Sequence, residues 1–458
     1  MAKTSTDLTE GALGKQIFLF SLPLMISNVL QVLFNMSDIA VVGRFAGSEA
    51  LGAVGSTTTL VTLFTGFLIG MGCGVNVLVA RYFGAHKEKD LTETIHTSAI
   101  ACLTAGLLVL LFGVLFSHAL LSLLHTKEEL IKGATLYLRI YFLGMPAIAL
   151  YNFGNAVFSA IGDTKKPLYF LMTAGVLNVL MNLFFVIVCN LNVAGVAMAS
   201  VISQYISATL IIGALLRSRD EIYGLRLSDL RITGHKLKNI LSLSIPSGFQ
   251  YAIFQIANLF IQAGVNTFDA VMVEGNSAAA NADGLVYDVM AAFYTACSSF
   301  MGQNYGARKK DRVLKSYLIS LAYSFGFGAV MGILLVAFGR PFLSLFTTEN
   351  VVVEAGMRRL TIMGFSYAIS AFMDASIAAS RGLGKSLIPT IIVILGSCVF
   401  RVIWVYTIFA YFGTITSLYL LYVFSWSITA IAEMLYLARC YRQQMRNMEF
   451  AVMSPPYK

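Results

Sequence analysis

Asp38 is a carboxylate set in an otherwise apolar stretch, and its neighbours are chosen by type and spacing. Asn28, Gln31, Asn35 and Asp38 recur at intervals of 3, 4 and 3, which places all four on one helix face. Asn178 and Asn182 stand one helical turn apart in a later apolar stretch, and Ser200 lies in the next. Counted inward at 1.5 Å per residue, Asp38 lies ~8 Å, Asn182 ~12 Å and Ser200 ~9 Å from the outer ends of their stretches. One carboxylate, two amides and a hydroxyl at matching depth can do one of two things. They can coordinate Na⁺ through oxygen, with Asp38 and Asn178 as its ligands, or they can surround a carboxyl group that takes up H⁺. A partly solvated Asp near the headgroups is the plainer alternative.

A similar face recurs later in the chain as Gln255, Asn258, Gln262 and Asn266. Amide side chains inside a membrane either join helices or line a cavity. Repetition in both halves favours a lining, so Asn28, Gln31, Asn35, Gln255, Asn258 and Gln262 are expected to face a substrate cavity, together with Tyr287 and Asp374. Asp283 shares a face with Tyr287. Arg401 is a cation deep in an apolar stretch at ~16 Å, and Asp288 lies at ~15 Å, so the two are expected to form a structural ion pair. Asp374, at ~25 Å, is then free to titrate. The six cysteines lie in or beside apolar stretches without a CxxC pair, and the five histidines sit in loops or near stretch ends. Neither set reads as a disulfide framework or a metal centre, and no cofactor is expected beyond the coupling ion.

The elements that must hold these residues are transmembrane helices. The chain of 458 residues is 57% apolar and 12% charged, about half the charge of a soluble protein, with a mean hydropathy of +0.76. Twelve spans can be counted, at 16–43, 50–80, 92–118, 134–158, 167–190, 194–216, 240–268, 278–304, 314–339, 357–380, 388–412 and 416–438. Each is long enough for a core of ~30 Å. The net charge of +9 sits in short clusters between spans, so it sets topology and does not mark nucleic-acid binding. Basic connections alternate with the connections 190–194, 268–278 and 412–416, which contain no Lys or Arg; Lys127, Lys132, Arg340, Arg358 and Arg359 oppose the bias without overturning it. Both termini are therefore expected on the cytoplasmic side. The polar start is not a cleavable signal peptide, so the first span is expected to stay.

The chain repeats itself at an offset of 223. Ser21 and Pro23 open the first span as Ser244 and Pro246 open the seventh, and Asn35 falls on Asn258. The turn Tyr82–Lys87 corresponds to Asn304–Lys309, and Gly162–Lys165 to Gly382–Lys385. Six spans per half make the repeat parallel, about an axis along the membrane normal. The expected fold is an all-α membrane protein of twelve transmembrane helices in two six-helix bundles. Its parts are a cytoplasmic segment 1–15, an N-terminal lobe 16–216, a linker 217–239, a C-terminal lobe 240–438 and a cytoplasmic tail 439–458.

With these residues in place, the chain resembles the multidrug and toxic-compound extrusion (MATE) family over about residues 12–445. The likeness is carried by Asn35 to Arg44, the openings at Pro23 and Pro246, Leu177 to Asn182, Gly195 to Ser200, and Ser380 to Gly384. The resemblance implies cation-coupled export of drugs, dyes or toxic metabolites by alternating access. It also implies a principal coupling site at Asp38, with Asn178 and Ser200 as its neighbours. Two departures stand out. Family members often have an acid where this chain has Asn182, and those with a C-terminal cation site commonly have a glutamate near the place of Phe254 and Gln255. Both departures turn attention to Asp38. The expected protein is a monomeric secondary exporter in a bacterial inner membrane. It would exchange amphipathic, chiefly cationic organic compounds for H⁺ or Na⁺, with small organic substrates and the bilayer as its partners. A lipid-linked precursor flippase of the wider superfamily is the nearest rival, but it would need several deep cations where the spans offer Arg401. A membrane enzyme would need clustered acids for Mg²⁺, and Asp283 and Asp288, five apart, fall on different faces.

Overall fold

The computed structural model describes residues 7–453, with backbone alone from 449 to 453. Among the described residues every regular element is helical. Hydrocarbon offers no partners for the backbone, so a spanning segment must close its own hydrogen bonds. Among the described residues nine runs are long and apolar enough to cross a membrane. The first, Leu13–Gly84, has 72 residues, or ~108 Å, and must cross twice. It consists of α1 (Leu13–Val41), a π-helical turn at Val42–Ala46, and α2 (Gly47–Gly84). The reversal occurs at Gly47, whose φ of +89° a residue with a Cβ rarely adopts.

The following elements are α3 (Glu88–Leu123), α4 (Glu128–Phe142), α5 (Met145–Ala160), α6 (Lys165–Leu183) and α7 (Asn192–Arg217). The span expected over 134–158 is a pair, α4 and α5, bent by 45°. Pro146 opens α5 and has no N–H to return to the preceding turn, so the helix breaks there. After these come α8 (Gly234–Val265), α9 (Ala270–Gly306), α10 (Lys310–Ala337), the short α11 (Gly339–Leu343) and α12 (Asn350–Gly382). Next, α13 (Leu387–Val393), α14 (Phe400–Trp404) and α15 (Ala410–Phe412) are joined by π-helical turns into one apolar run, Leu387–Phe412, and α16 (Ile415–Met453) closes the chain. With the bent pair and the more polar α9, twelve crossings are accounted for.

The chain divides into two compact units. Among the described residues, unit 1 is Ile26–Ala252, and unit 2 is Asp7–Met25 together with the chain from Ile253 onward. The division falls inside α1 and α8, not at residues 217–239. That polar segment is instead bonded to the start of α3 within unit 1. Arg226 N–H donates to His96 Nε2 (3.0 Å), Thr233 N–H to Thr97 Oγ1 (3.1 Å) and Lys236 Nζ to Asp90 (2.5 Å). In unit 2 the residues before α1 are held in a similar way. Leu8 N–H donates to Gln303 (3.2 Å), and Arg312 donates to the carbonyls of Leu8, Glu10 and Gly11 at 3.2, 3.0 and 2.8 Å.

Small residues set the spacing of the helices in unit 1. A Cβ on Gly70 would lie 2.5 Å from Gly248 Cα, and one on Gly74 would lie 2.2 Å from Ser244 Oγ. The first half of α8 therefore packs backbone to backbone on α2, as small residues allow where lipid tails compete with side chains. Buried aliphatic and aromatic side chains fill the rest of unit 1, among them Val75, Leu91, Phe153 and Ile211. Unit 2 is centred on Val286, Met290, Met363 and Tyr419.

Candidate functional site

Three helices of unit 1 build the site. The last turn of α1 presents Asp38, α6 presents Asn178 and Asn182, and α7 presents Ser200 and Ser203. The pair on α6 share a face because they are four apart, and both are buried. Asn182 Nδ2 donates to Asp38 Oδ1 and also to Asn178 Oδ1 (3.3 Å). Ser200 Oγ donates to Asp38 Oδ2 at 3.3 Å. Asn178 Nδ2 donates to Ser203 Oγ (3.4 Å), and that hydroxyl donates to the Ser200 carbonyl (2.8 Å). Each oxygen of Asp38 therefore has one donor from a separate helix. The four residues expected to gather here are gathered.

The amide of Asn182 is spent on the donor side only. Its Oδ1 is buried and accepts no hydrogen bond. A buried carbonyl oxygen without a donor costs ~1–3 kcal/mol, and a small cation beside Asp38 would satisfy it. Carboxylate, amide and hydroxyl oxygens are also the donor set that hard monovalent cations take. Protonating Asp38 would remove the charge but leave this oxygen to seek a donor. Tyr137 and Tyr141 of α4, a stacked pair with centroids 5.8 Å apart, lie within electrostatic reach of Asp38. Sequence reasoning missed them, although their spacing of four inside an apolar span was a usable signal.

The residues expected to line a substrate cavity are divided. Asn28, Gln31 and Asn35 belong to unit 1, and Gln31 and Asn35 are exposed. Gln255, Asn258, Gln262, Tyr287 and Asp374 belong to unit 2. Two of these spend their amides on packing. Gln262 donates to Asn266 (2.8 Å) and accepts from Asn276 (3.4 Å), while Asn258 Oδ1 accepts from Arg401 (3.1 Å). Tyr287 is exposed, and Asp374 is half-buried.

The expected ion pair is also corrected. Arg401 does not pair with Asp288. Its guanidinium bonds Asn258 and Ser425 and lies over the rings of Phe254 and Tyr422, 5.1 and 4.9 Å from their centroids. The buried ion pair of unit 2 is Arg359–Asp283, reinforced by Tyr367 on Asp283 and by Asn276 on Arg359 (2.8 Å). Arg359 was counted with the charges at the outer span ends because the span was begun at 357, whereas α12 starts at Asn350. The longer helix places this arginine ~13 Å from its first residue, where a bare charge is costly. Arg401 is therefore not the only deep cation.

Comparison with known proteins agrees with this architecture. The MatE family model matches twice, at residues 23–184 and 246–407, and the two matches are offset by the same 223 residues as the internal repeat. The probable multidrug resistance protein YpnP of Bacillus subtilis (strain 168) is 29% identical over 79% of this chain and 80% of its own length. The multidrug export protein MepA of Staphylococcus aureus (strain N315) is 24% identical over 92% of each chain. An outward-facing multidrug resistance MATE family transporter of the MOP superfamily superposes with a TM-score of 0.90 at 23% identity, covering 97% of this chain and all of the other. A MOP superfamily transporter from Pyrococcus furiosus Vc1 (DSM3638) gives the same score and identity. With two family matches that together span more than half its length, on a helical membrane fold shared with MATE structures, this chain belongs to the MatE family of transporters.

Proposed function

We propose that the chain is a secondary active multidrug exporter in the plasma membrane. It exchanges amphipathic, chiefly cationic organic compounds for H⁺ or Na⁺ by alternating access, and the coupling cation binds at Asp38. The carrying observation is the Asp38 carboxylate bonded by Asn182 and Ser200, with the buried Asn182 Oδ1 beside it. A charge held there without a counter-ion would cost several kcal/mol, so the carboxylate exchanges one cation for another and is not left bare. Coupling needs the two ligands to bind the two conformations with different affinity, which a single shared carboxylate can provide by competition. The relatives named as multidrug proteins support the substrate class.

The test is efflux of a cationic dye from proteoliposomes or inverted vesicles, with proton and Na⁺ gradients imposed one at a time. Asp38→Asn is expected to abolish uphill transport under both gradients and to remove the competition between the coupling cation and dye binding. Uphill export by that variant at the wild-type rate would sink the reading.

A further inference from the structure

Glu433 has no place in the site described above. It sits on α16, is 0% exposed, and neither carboxylate oxygen has a hydrogen-bond partner. Ser425, Thr429 and Glu433 follow one another at intervals of four, so they form one stripe of the helix, and all three are fully buried. The stripe is polar from end to end. Arg401 Nε donates to Ser425 Oγ (3.5 Å), Thr429 Oγ1 donates to the Ser425 carbonyl (2.6 Å), and Thr429 Oγ1 lies 3.0 Å from Ser397 Oγ. Glu433 lies ~27 Å along α16 from Ile415, on the side expected to be cytoplasmic.

The charged groups around Glu433 can be enumerated. From α12 come Asp374 and Arg381, both within electrostatic reach. The run Leu387–Phe412 brings Arg401 and Cys398, and the turn after α12 brings Lys385 close to Cys440. Tyr436 and Cys440 lie on α16 itself. Arg381 and Arg401 both reach Asp374, whereas Arg381 is the one guanidinium that reaches Glu433, which it shares with Asp374. Glu433 is fully buried and receives no donor, so ionising it there is the costliest choice.

We propose that Glu433 is a second proton-binding site, in unit 2, and that its proton is carried through the transport cycle alongside the cation at Asp38. The bond that changes is the carboxyl O–H alone: the proton leaves to water or to the Asp374 carboxylate and returns from the same groups. The idea rests on the antiport reading for its second clause only. One coupling cation exchanged for a monovalent dye cation moves no net charge, whereas an added proton makes the exchange electrogenic. A membrane potential of ~100 mV would then raise the attainable dye gradient ~50-fold.

Two measurements test this on the purified full-length protein. Infrared spectroscopy at neutral pH should show a protonated-carboxyl C=O band that Glu433→Gln removes and Asp38→Asn keeps. Coincident spectra of wild type and Glu433→Gln would overturn the proposal. In proteoliposomes, an imposed potassium diffusion potential should accelerate dye export by wild type and leave Glu433→Gln unresponsive; an equal response in both would likewise overturn it. Should Glu433→Gln fail to fold, Glu433→Asp should keep a carboxyl band at a shifted frequency, and an unshifted band would exclude Glu433 as its source. Uphill export by Asp38→Asn would remove the coupling site in unit 1 without altering the Glu433 band, so the two failures are distinguishable.

Discussion

Asp38 receives hydrogen bonds from two helices and gives none, so its partners tune how tightly it holds a cation. Asn182 is the more consequential partner, since it donates to Asp38 and to Asn178 and also brings the partnerless Oδ1. Hydrogen bonds to a charged group contribute ~1.5–3 kcal/mol. Asn182→Leu keeps a similar volume and removes all of these contacts, so the half-saturating concentration of the coupling ion should rise roughly 10- to 100-fold. Ser200→Ala removes one longer bond and should cost less, roughly 3- to 10-fold. Titrating dye efflux against the external ion measures both, and a larger effect from Ser200→Ala would reverse this ranking. These four residues were legible in the sequence because depth and helical phase can be counted along each span separately. Tyr137, Tyr141 and Glu433 were not, because their significance lies in which helices are adjacent.

Single helices show where pattern reading succeeds and where it stops. Gly66, Gly70, Gly72 and Gly74 crowd one stretch of α2. The structure assigns the contacts: Gly66, Gly70 and Gly74 face α8, and Gly72 faces Asn152 of α5. Gly70→Ala would force a methyl group against Gly248 backbone, which overpacking data put at ~1–3 kcal/mol. Gly55, on the same helix, has nothing within 4 Å of an added Cβ, so Gly55→Ala should be neutral or gain ~1 kcal/mol of helix propensity. Thermal unfolding in detergent should therefore lower the midpoint for Gly70→Ala and hold or raise it for Gly55→Ala. The same reading of helices placed Arg359 at a span end, because no composition signal marks where α12 begins. As a buried pair with Asp283, it makes a sharp prediction. Arg359→Leu should cost ~3–5 kcal/mol by leaving Asp283 bare, and Arg359→Leu with Asp283→Leu should recover much of that loss. If the double variant unfolds at the same temperature as the single one, the charge pairing is not what stabilises this junction.

At the scale of the whole chain, repeat and topology come from different physics, and the sequence carries them unequally. The repeat was visible as span openings offset by 223 and turns offset by 222 and 220, and the family matches recover the 223. The division of the units within α1 and α8 was not visible, because the composition of an apolar helix does not change where it passes from one packing environment to another. Topology rests on charge alone: the strongly basic connections alternate with connections poor in or free of Lys and Arg, so residues 217–239 are expected in the cytoplasm and 190–194 outside. Native cysteines offer a direct test. Among the described residues Cys189 is the exposed free cysteine; Cys73 is half-buried and the other four are buried. Cys189 closes the π-helical turn after α6, next to the connection 190–194. A membrane-impermeant thiol reagent should therefore label intact cells at Cys189 and fail on Cys189→Ser. In that cysteine-depleted background, Asp220→Cys, exposed at the start of the polar segment, should label only after permeabilisation. The opposite pattern would invert the orientation, put Asp38 toward the cytoplasm, and reverse the direction in which a cation gradient could drive export.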